Sequence, residues 1–158
     1  MKFASENTLF TENEPYRTMM NSPTLAVTRS DALRLKTLLN SEFVIAIGGE
    51  RTHLSEFKDR LERAVVLESQ DMMPDVVTMN STIRLLDLDL NEVDTYTLVY
   101  PEEACIAEGK LSILSPLGTM IFGCRVGESV TCHVSGHQNR KQVEKITFQP
   151  ERIGAFNL

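Results

Sequence analysis

Two cysteines and two histidines near the C-terminal end of the chain could bind a metal ion: Cys124, Cys132, His133 and His137. A structural zinc site needs four ligands that converge in a tetrahedron. Cys132 and His133 are neighbours in a predicted strand, where successive side chains point to opposite faces of the sheet. The pattern therefore favours a buried Cys132 and a solvated His137 in a turn, and we expect neither a metal site nor a cofactor.

Ser115 is the candidate nucleophile, and it stands directly before Pro116. A catalytic serine needs an adjacent base and a group that orients this base, and the sequence suggests no His–Asp arrangement near Ser115. Serine followed by proline is instead a common pair at the start of a helix, with the serine as the cap and the proline at the first helical position. We therefore predict a capping role for Ser115 and a protein that is not an enzyme.

A cluster of carboxylates in the middle of the chain is the third candidate group. Acidic residues on a protein surface often form only a solvated face. A local excess of negative charge can also steer a domain onto a basic protein surface. Both interpretations stay open at this point. The residues of this predicted steering patch are Asp87, Asp89, Glu92 and Asp94.

The elements that must position Ser115 follow from the surrounding sequence. An apolar strand over residues 111–114 cannot continue centrally through Pro116, because proline lacks a backbone N–H and fixes φ. The apolar residues after Pro116 recur at i, i+3 and i+4, which predicts a single short helix. Gly123 is expected to end this helix in a left-handed conformation, and an alternating strand begins at Val130.

Two amphipathic helices are predicted in the N-terminal half, over residues 28–40 and 54–69. Thr28 is expected to cap the first helix, and Arg60 lies on the polar face of the second. The short apolar stripes suggest a stubby antiparallel coiled-coil hairpin over residues 25–72. The connector carries an apolar run, which either folds back onto the domain or forms a tip that contacts a partner. The tip residues are Phe43, Ile45 and Ile47.

Residues 73–158 have the pattern of strands and turns. β-branched and aromatic residues dominate several short segments, which are bounded by Asn, Asp, Gly and Pro. Strands joined by hairpins, together with one short helix, make a small antiparallel α+β domain. The predicted strands of this domain cover residues 75–79, 82–88, 93–100 and 141–148.

Composition limits the kind of partner. The 158 residues carry a net charge of −6, and residues 71–158 hold twelve acidic against seven basic residues. This surplus repels phosphate backbones, so we expect contact with DNA or RNA to be indirect and a basic protein surface to be the partner. The absence of Trp and an aromatic content of 6% disfavour both a base-stacking platform and an aromatic-lined ligand pocket.

The remaining features bear on localisation. Three cysteines without a CxxC motif predict reduced thiols, and the sequence has neither an apolar signal region nor a run long enough to span a membrane. We expect a cytoplasmic monomer without membrane contact. The polar residues 1–24 predict a mobile tail, and Met20 is an alternative start to Met1.

Four segments occur in order along the second half: VVTMNSTIRL, DTYTLVYPEEA, LSILSPLGTMIFGCRVGESV and VEKITFQPE. Together they resemble the C-terminal domain of the bacterial Gre family of transcription elongation factors. The combination of PDVVTMNS and TLVYP with a short N-terminal hairpin is most similar to the subgroup called regulator of nucleoside diphosphate kinase. The resemblance runs from about Thr24 to the C-terminus and is dense over residues 73–150.

The resemblance implies an FKBP-like domain at residues 73–158 behind the coiled-coil hairpin. It also implies binding to RNA polymerase beside the secondary channel. In the Gre family the Ser-Pro loop is part of the polymerase-docking surface. The corresponding residues here are Ser115 and Pro116, with Leu117 and Gly118 adjacent, and Leu114 at a position where some relatives carry an acidic residue.

The transcript-cleavage factors of this family carry a close acidic pair at the hairpin tip, which holds a catalytic magnesium ion. Two carboxylates share a divalent ion only when the backbone brings them close together, and residues 41–53 offer no such pair. The resemblance therefore implies a regulator that competes with other channel factors without cleaving transcripts, with a possible influence on the level of nucleoside diphosphate kinase. The alternatives are a cleavage-stimulating elongation factor and an FKBP-like prolyl isomerase or chaperone module.

Overall fold

The computed structural model describes residues 24–41, 44, 52–134 and 136–156. The predicted tail up to residue 23 lies outside this part of the chain, as do the predicted tip residues Phe43, Ile45 and Ile47. The elements in chain order are β1 (Ala26–Thr28), α1 (Arg29–Leu39), α2 (Thr52–Glu62), β2 (Val65–Leu67), β3 (Thr82–Asp87), β4 (Glu92–Val99), β5 (Lys110–Ser112), α3 (Pro116–Ile121), β6 (Ser129–Val134) and β7 (His137–Phe148).

The larger sheet has the strand order β5-β4-β3-β7-β6. The central strand β3 runs antiparallel to both β4 and β7, and β6 pairs antiparallel with β7. Side chains alternate along a strand, so Ile83 and Leu85 of β3 point to the same face, and both are fully buried. Two register shifts between β3 and β7 mark bulges, which bend the paired strands. The predicted α+β class is confirmed.

The helices and the sheet share one hydrophobic core. Leu35 of α1 and the α2 residues Phe57 and Leu61 join the same buried cluster as Ile83 and Leu85. Burying a Leu or Phe side chain fully contributes about 1.5–3 kcal/mol each. The helical segment is therefore stabilised largely by its packing on the sheet domain, since two helices of this length are marginal on their own.

The start of α1 combines a predicted cap with a buried carboxyl group. Thr28 caps the helix as expected, because its hydroxyl oxygen accepts a hydrogen bond from the Asp31 amide at 3.1 Å. The Tyr100 hydroxyl donates to Oδ1 of Asp31 at 3.2 Å, whereas Oδ2 has no hydrogen-bond partner among the described residues. The Arg34 guanidinium lies over the Tyr100 ring, 3.9 Å from its centroid. Desolvation by burial, together with the Glu151 carboxylate, raises the pKa of Asp31 to about 6.

The second helix is shorter than the sequence pattern predicts, and its predicted extension to residue 69 is wrong. α2 ends at Glu62, and Val65–Leu67 forms β2, which pairs in parallel with β1. The Val65 amide donates to the Leu25 carbonyl at 2.8 Å. Consecutive β-branched residues favour an extended backbone, and the free edge of β1 supplies the partner for it.

The predicted strand over residues 75–79 is also wrong, since only Val76 forms a bridge, with Arg125. This segment hydrogen-bonds instead to the turn after α3: the Val77 amide donates to the Cys124 carbonyl, and the Gly123 amide donates to the Val77 carbonyl, both at 2.8 Å. Asn80, with a φ of 65°, ends the extended stretch. None of the helices within the described ranges has the length and apolar character needed to cross a membrane.

Candidate docking site

The Ser-Pro unit, defined as residues 114–122, is built as the sequence predicts. The strand before it is shorter than expected, because β5 ends at Ser112 and a turn follows. The Ser115 hydroxyl accepts a hydrogen bond from the Gly118 amide at 3.0 Å and donates to the Ser112 carbonyl at 2.7 Å. Pro116 is the first residue of α3. Both functions of the Ser115 hydroxyl are thus used to fix the backbone, and the predicted capping role is confirmed.

Gly118 allows α3 to lie directly against the end of β5. A Cβ atom at this position would collide with the carbonyl oxygen of Ser112. The residue is buried, as is Leu114, whereas Ser115, Pro116 and Leu117 are partly exposed. Of the five predicted docking residues, Leu114 and Gly118 therefore set the shape of the unit, and the other three are accessible to a partner.

Helix α2 supports the Ser-Pro unit from inside the molecule. The Nε2 atom of His53 lies 3.0 Å from the Leu114 carbonyl oxygen. The rings of Phe57 and Phe122 meet edge to face, with centroids 5.7 Å apart. The polar face predicted for α2 included Arg60, but its guanidinium donates to the Thr119 carbonyl at 3.0 Å and to the Phe122 carbonyl at 3.4 Å. This support was missed in the sequence.

The i, i+4, i+7 spacing of the three α2 residues was the available signal for it. His53, Phe57 and Arg60 necessarily share one face of a helix. An arginine beside an apolar stripe usually extends into solvent, so the spacing alone gives no reason to turn Arg60 inward. The acceptors that bind it lie about 60 residues away in the sequence and are brought near only by the fold.

Basic residues neutralise more of the negative charge of the acidic patch than the sequence suggests. Asp87 is buried and accepts a hydrogen bond from Lys141 Nζ at 2.9 Å. This bond, together with the hydrogen bonds from the Leu90 and Asp89 amides, lowers the pKa of Asp87 to about 2. Asp89 pairs with Arg140 at 2.9 Å. The two further predicted residues are Glu92, which is exposed, and Asp94, whose carboxylate lies 4.0 Å from Lys141 Nζ.

The structure separates the acidic patch from the Ser-Pro unit. Glu92 begins β4, and Val99 at the other end of β4 pairs with Ser112, just before the Ser-Pro unit. Eight residues of strand span roughly 25 Å. The two predicted partner-binding regions therefore lie at opposite ends of the sheet domain.

The residues considered for metal binding do not form a cluster. Cys132 is buried and His133 is exposed on the same strand, as the alternation predicts. Cys124 is also buried, and burial raises the pKa of its thiol to about 12. Within the described ranges, no group of three or more His, Cys, Asp or Glu residues is arranged to hold a metal ion.

Comparison with known proteins agrees with this geometry. The family model described as "Transcription elongation factor, GreA/GreB, C-term" matches residues 71–148. The "Regulator of nucleoside diphosphate kinase" of Escherichia coli (strain K12) is 31% identical over 140 residues, which is 88% of this chain and 100% of that protein.

The chain belongs to the family of this regulator and carries a GreA/GreB C-terminal domain at residues 71–148.

Two further relatives place the helices and the sheet domain within this family. The transcription elongation factor GreA of Thermodesulfovibrio yellowstonii is 31% identical over 96 residues, which is 61% of each protein. The solved structure of a GreA/GreB elongation factor from Nitrosomonas europaea has a TM-score of 0.68 and 29% identity, over 80% of this chain and 99% of that one. The predicted architecture, with a helical hairpin before a C-terminal β domain, is thereby confirmed.

Proposed function

We propose that this protein is a regulator that binds RNA polymerase near its secondary channel through the Ser-Pro unit. The proposal rests on the shape of the Ser-Pro unit in this chain, which is a member of the family. A doubly hydrogen-bonded Ser115 starts a short helix and leaves Pro116 and Leu117 partly exposed on a rigid base. Apolar residues that are held rigidly lose little conformational entropy when a partner covers them.

The proposal includes competition with cleavage factors and no transcript cleavage by the protein itself. A magnesium-dependent cleavage factor must bring carboxylates to a distant active site. Each of the described helices α1 and α2 has 11 residues, which is about 17 Å of helix, and both pack on the sheet domain. These dimensions support a role at the channel mouth. We further propose that the protein acts as a cytoplasmic monomer that contacts nucleic acid only within the polymerase complex and does not contact a membrane.

The acidic patch has a proposed accessory role in association. Two basic partners, Arg140 and Lys141, compensate part of its four carboxylates, and the exposed Glu92 carries uncompensated charge. A remaining negative field of this kind accelerates encounter with a basic surface at low salt. Changing Asp89 and Glu92 to Lys should slow association, and an unchanged association rate would remove this part of the proposal.

The main test is a binding measurement with core RNA polymerase. Pro116→Ser/Leu117→Ser should weaken binding about tenfold or more, because two apolar contacts are lost. The matched control is Leu33→Ser/Ile153→Ser, which changes two exposed apolar residues outside both the Ser-Pro unit and the acidic patch. Equal affinities for both double variants would contradict the docking site.

The second arm of the test uses backtracked polymerase complexes. The protein alone should release no cleaved transcript, and it should slow cleavage by an added GreA-type factor in proportion to its occupancy. Cleavage by the protein alone would contradict the regulator and favour a cleavage factor. An influence on nucleoside diphosphate kinase is proposed from the name of the Escherichia coli relative, and it predicts an altered kinase level in cells that lack this protein.

A further inference from the structure

We infer that α2 is a brace for the Ser-Pro unit and that His53 and Arg60 are positioning residues for docking. The inference rests on the proposed function, since it assigns a task in docking to two partly buried residues outside the Ser-Pro unit. Its starting point is the set of contacts that α2 makes with both ends of the Ser-Pro unit and with its middle. One face of α2 therefore contacts the Ser-Pro unit at both of its ends.

The contact at the N-terminal end involves the peptide group between Leu114 and Ser115. A carbonyl oxygen can only accept, so the His53 ring must carry its proton on Nε2 to form the 3.0 Å hydrogen bond. This bond fixes the orientation of the peptide plane that leads into the capping residue. The direction in which Pro116 leaves β5 is thereby set from outside the unit.

The contact at the C-terminal end satisfies carbonyl groups that a helix leaves free. The last carbonyls of a helix have no intrahelical donor. The guanidinium of Arg60 reaches two of them, at Thr119 and Phe122. Burial lowers the pKa of Arg60, and a guanidinium remains charged, so both hydrogen bonds are charge-assisted, and the shorter one, to Thr119, is the stronger of the two. Between the two polar ends, Phe57 packs edge to face on Phe122, and both rings are almost completely buried.

The exposed residues of the Ser-Pro unit are thus positioned by contacts that leave their solvent-facing surfaces available to a partner. The Ser115 hydroxyl is already occupied by its hydrogen bonds to the backbone, and Gly118 packs directly against Ser112. Six residues of helix cannot stay formed alone, and α3 packs against both β6 and α2, so α2 supplies part of the contacts that hold its shape. Loss of the Arg60 contacts should leave the fold intact and let the docking surface fluctuate.

The test compares two substitutions at Arg60 with a matched control on the same helix. Arg60→Met removes the donors and keeps the length of the side chain, and Arg60→Lys restores a charged donor. Lys58→Met removes a charge from the exposed face of α2. His53→Leu and His53→Gln form the equivalent pair at the other end, because glutamine retains an N–H donor.

Two quantities are measured on the full-length protein at a temperature where every variant is fully folded. The first is hydrogen exchange of the backbone amides of residues 117–124 without polymerase, and the second is Kd for core RNA polymerase. Arg60→Met should accelerate exchange about tenfold and raise Kd about tenfold. Arg60→Lys should recover part of both, and Lys58→Met should change neither.

The outcomes separate this inference from the proposed function. If Pro116→Ser/Leu117→Ser raises Kd while Arg60→Met does not, the docking site stands and the brace is overturned. If exchange accelerates but neither variant changes Kd, the docking site fails and the positioning role fails with it. Unchanged exchange in Arg60→Met would overturn the brace whatever its Kd. A partial rescue by lysine in both measurements supports it.

Discussion

The two helices meet the sheet domain at two junctions that treat buried polar groups in opposite ways. At the α2–α3 junction, donors from Arg60 and His53 meet backbone carbonyls. At the α1 junction, the Asp31 carboxyl group is buried beside Tyr100, and one of its oxygens has no hydrogen-bond partner in the described part of the chain. A satisfied junction rigidifies the unit that it supports, whereas an incompletely paired carboxyl group costs free energy whenever it is ionised. The comparison indicates that the docking unit lies at the better optimised junction.

The largest effect is expected from adding a side chain at Gly118, where α3 lies directly against the end of β5. Gly118→Ala should lower the free energy of unfolding by about 3 kcal/mol, because the new methyl group meets the Ser112 carbonyl oxygen and neither backbone can yield easily. Urea denaturation measures the loss. Gly127→Ala is the control, since its φ of 96° is unfavourable for alanine but no atom lies within 4 Å, and it should cost only about 1 kcal/mol. Equal costs at the two positions would contradict the close approach.

An effect of comparable size and opposite sign is expected at the α1 junction. The pKa of Asp31 is about 6 in the folded protein, against 3.8 as the unperturbed value, so the folded state binds more protons between these values. The contribution to stability is therefore full below pH 3.8 and is lost as the pH rises through 6. The loss reaches roughly 3 kcal/mol at neutral pH.

Asp31→Asn tests this sign. The variant should gain about 2–3 kcal/mol relative to the unmodified protein when the pH rises from 4 to 7.5, as measured by urea denaturation at both values. Asp87, whose pKa is lowered to about 2, is present in both proteins, so the stability that it loses as the pH falls cancels in this comparison. Asp59→Asn on the exposed face of α2 is the control. A difference between Asp31→Asn and the unmodified protein that does not depend on pH would show that Asp31 ionises normally.

The smallest effect is expected from the cap of α3. Ser115→Ala should lower the free energy of unfolding by about 1 kcal/mol, because the Gly118 amide loses its acceptor. Ser115→Thr retains a hydroxyl group and should recover most of this loss in thermal denaturation. If the Ser115 hydroxyl contacted only solvent, the free energy of unfolding would be the same in all three proteins.

Local structure in the docking region was predictable because adjacent residues determine it. Serine before proline requires a cap followed by a helix start, and the hydrogen bond from the Gly118 amide confirms it. The left-handed Gly123, with a φ of 81°, follows from the same short-range reasoning. The end of α2 was mispredicted, since Val65 and Val66 fit a helical stripe until β1 offers them a parallel partner.

The family and the order of its elements are fixed by the sequence, because spaced motifs and apolar periodicity are properties of neighbouring residues. Only the tertiary structure decides which polar side chains turn inward. The sequence pattern predicts that Arg60 and Asp31 both face solvent. The fold instead brings backbone carbonyl groups to Arg60 and the Tyr100 hydroxyl to Asp31. Their partners lie about 60 to 70 residues away, and contacts of that range form only when the helices pack on the sheet.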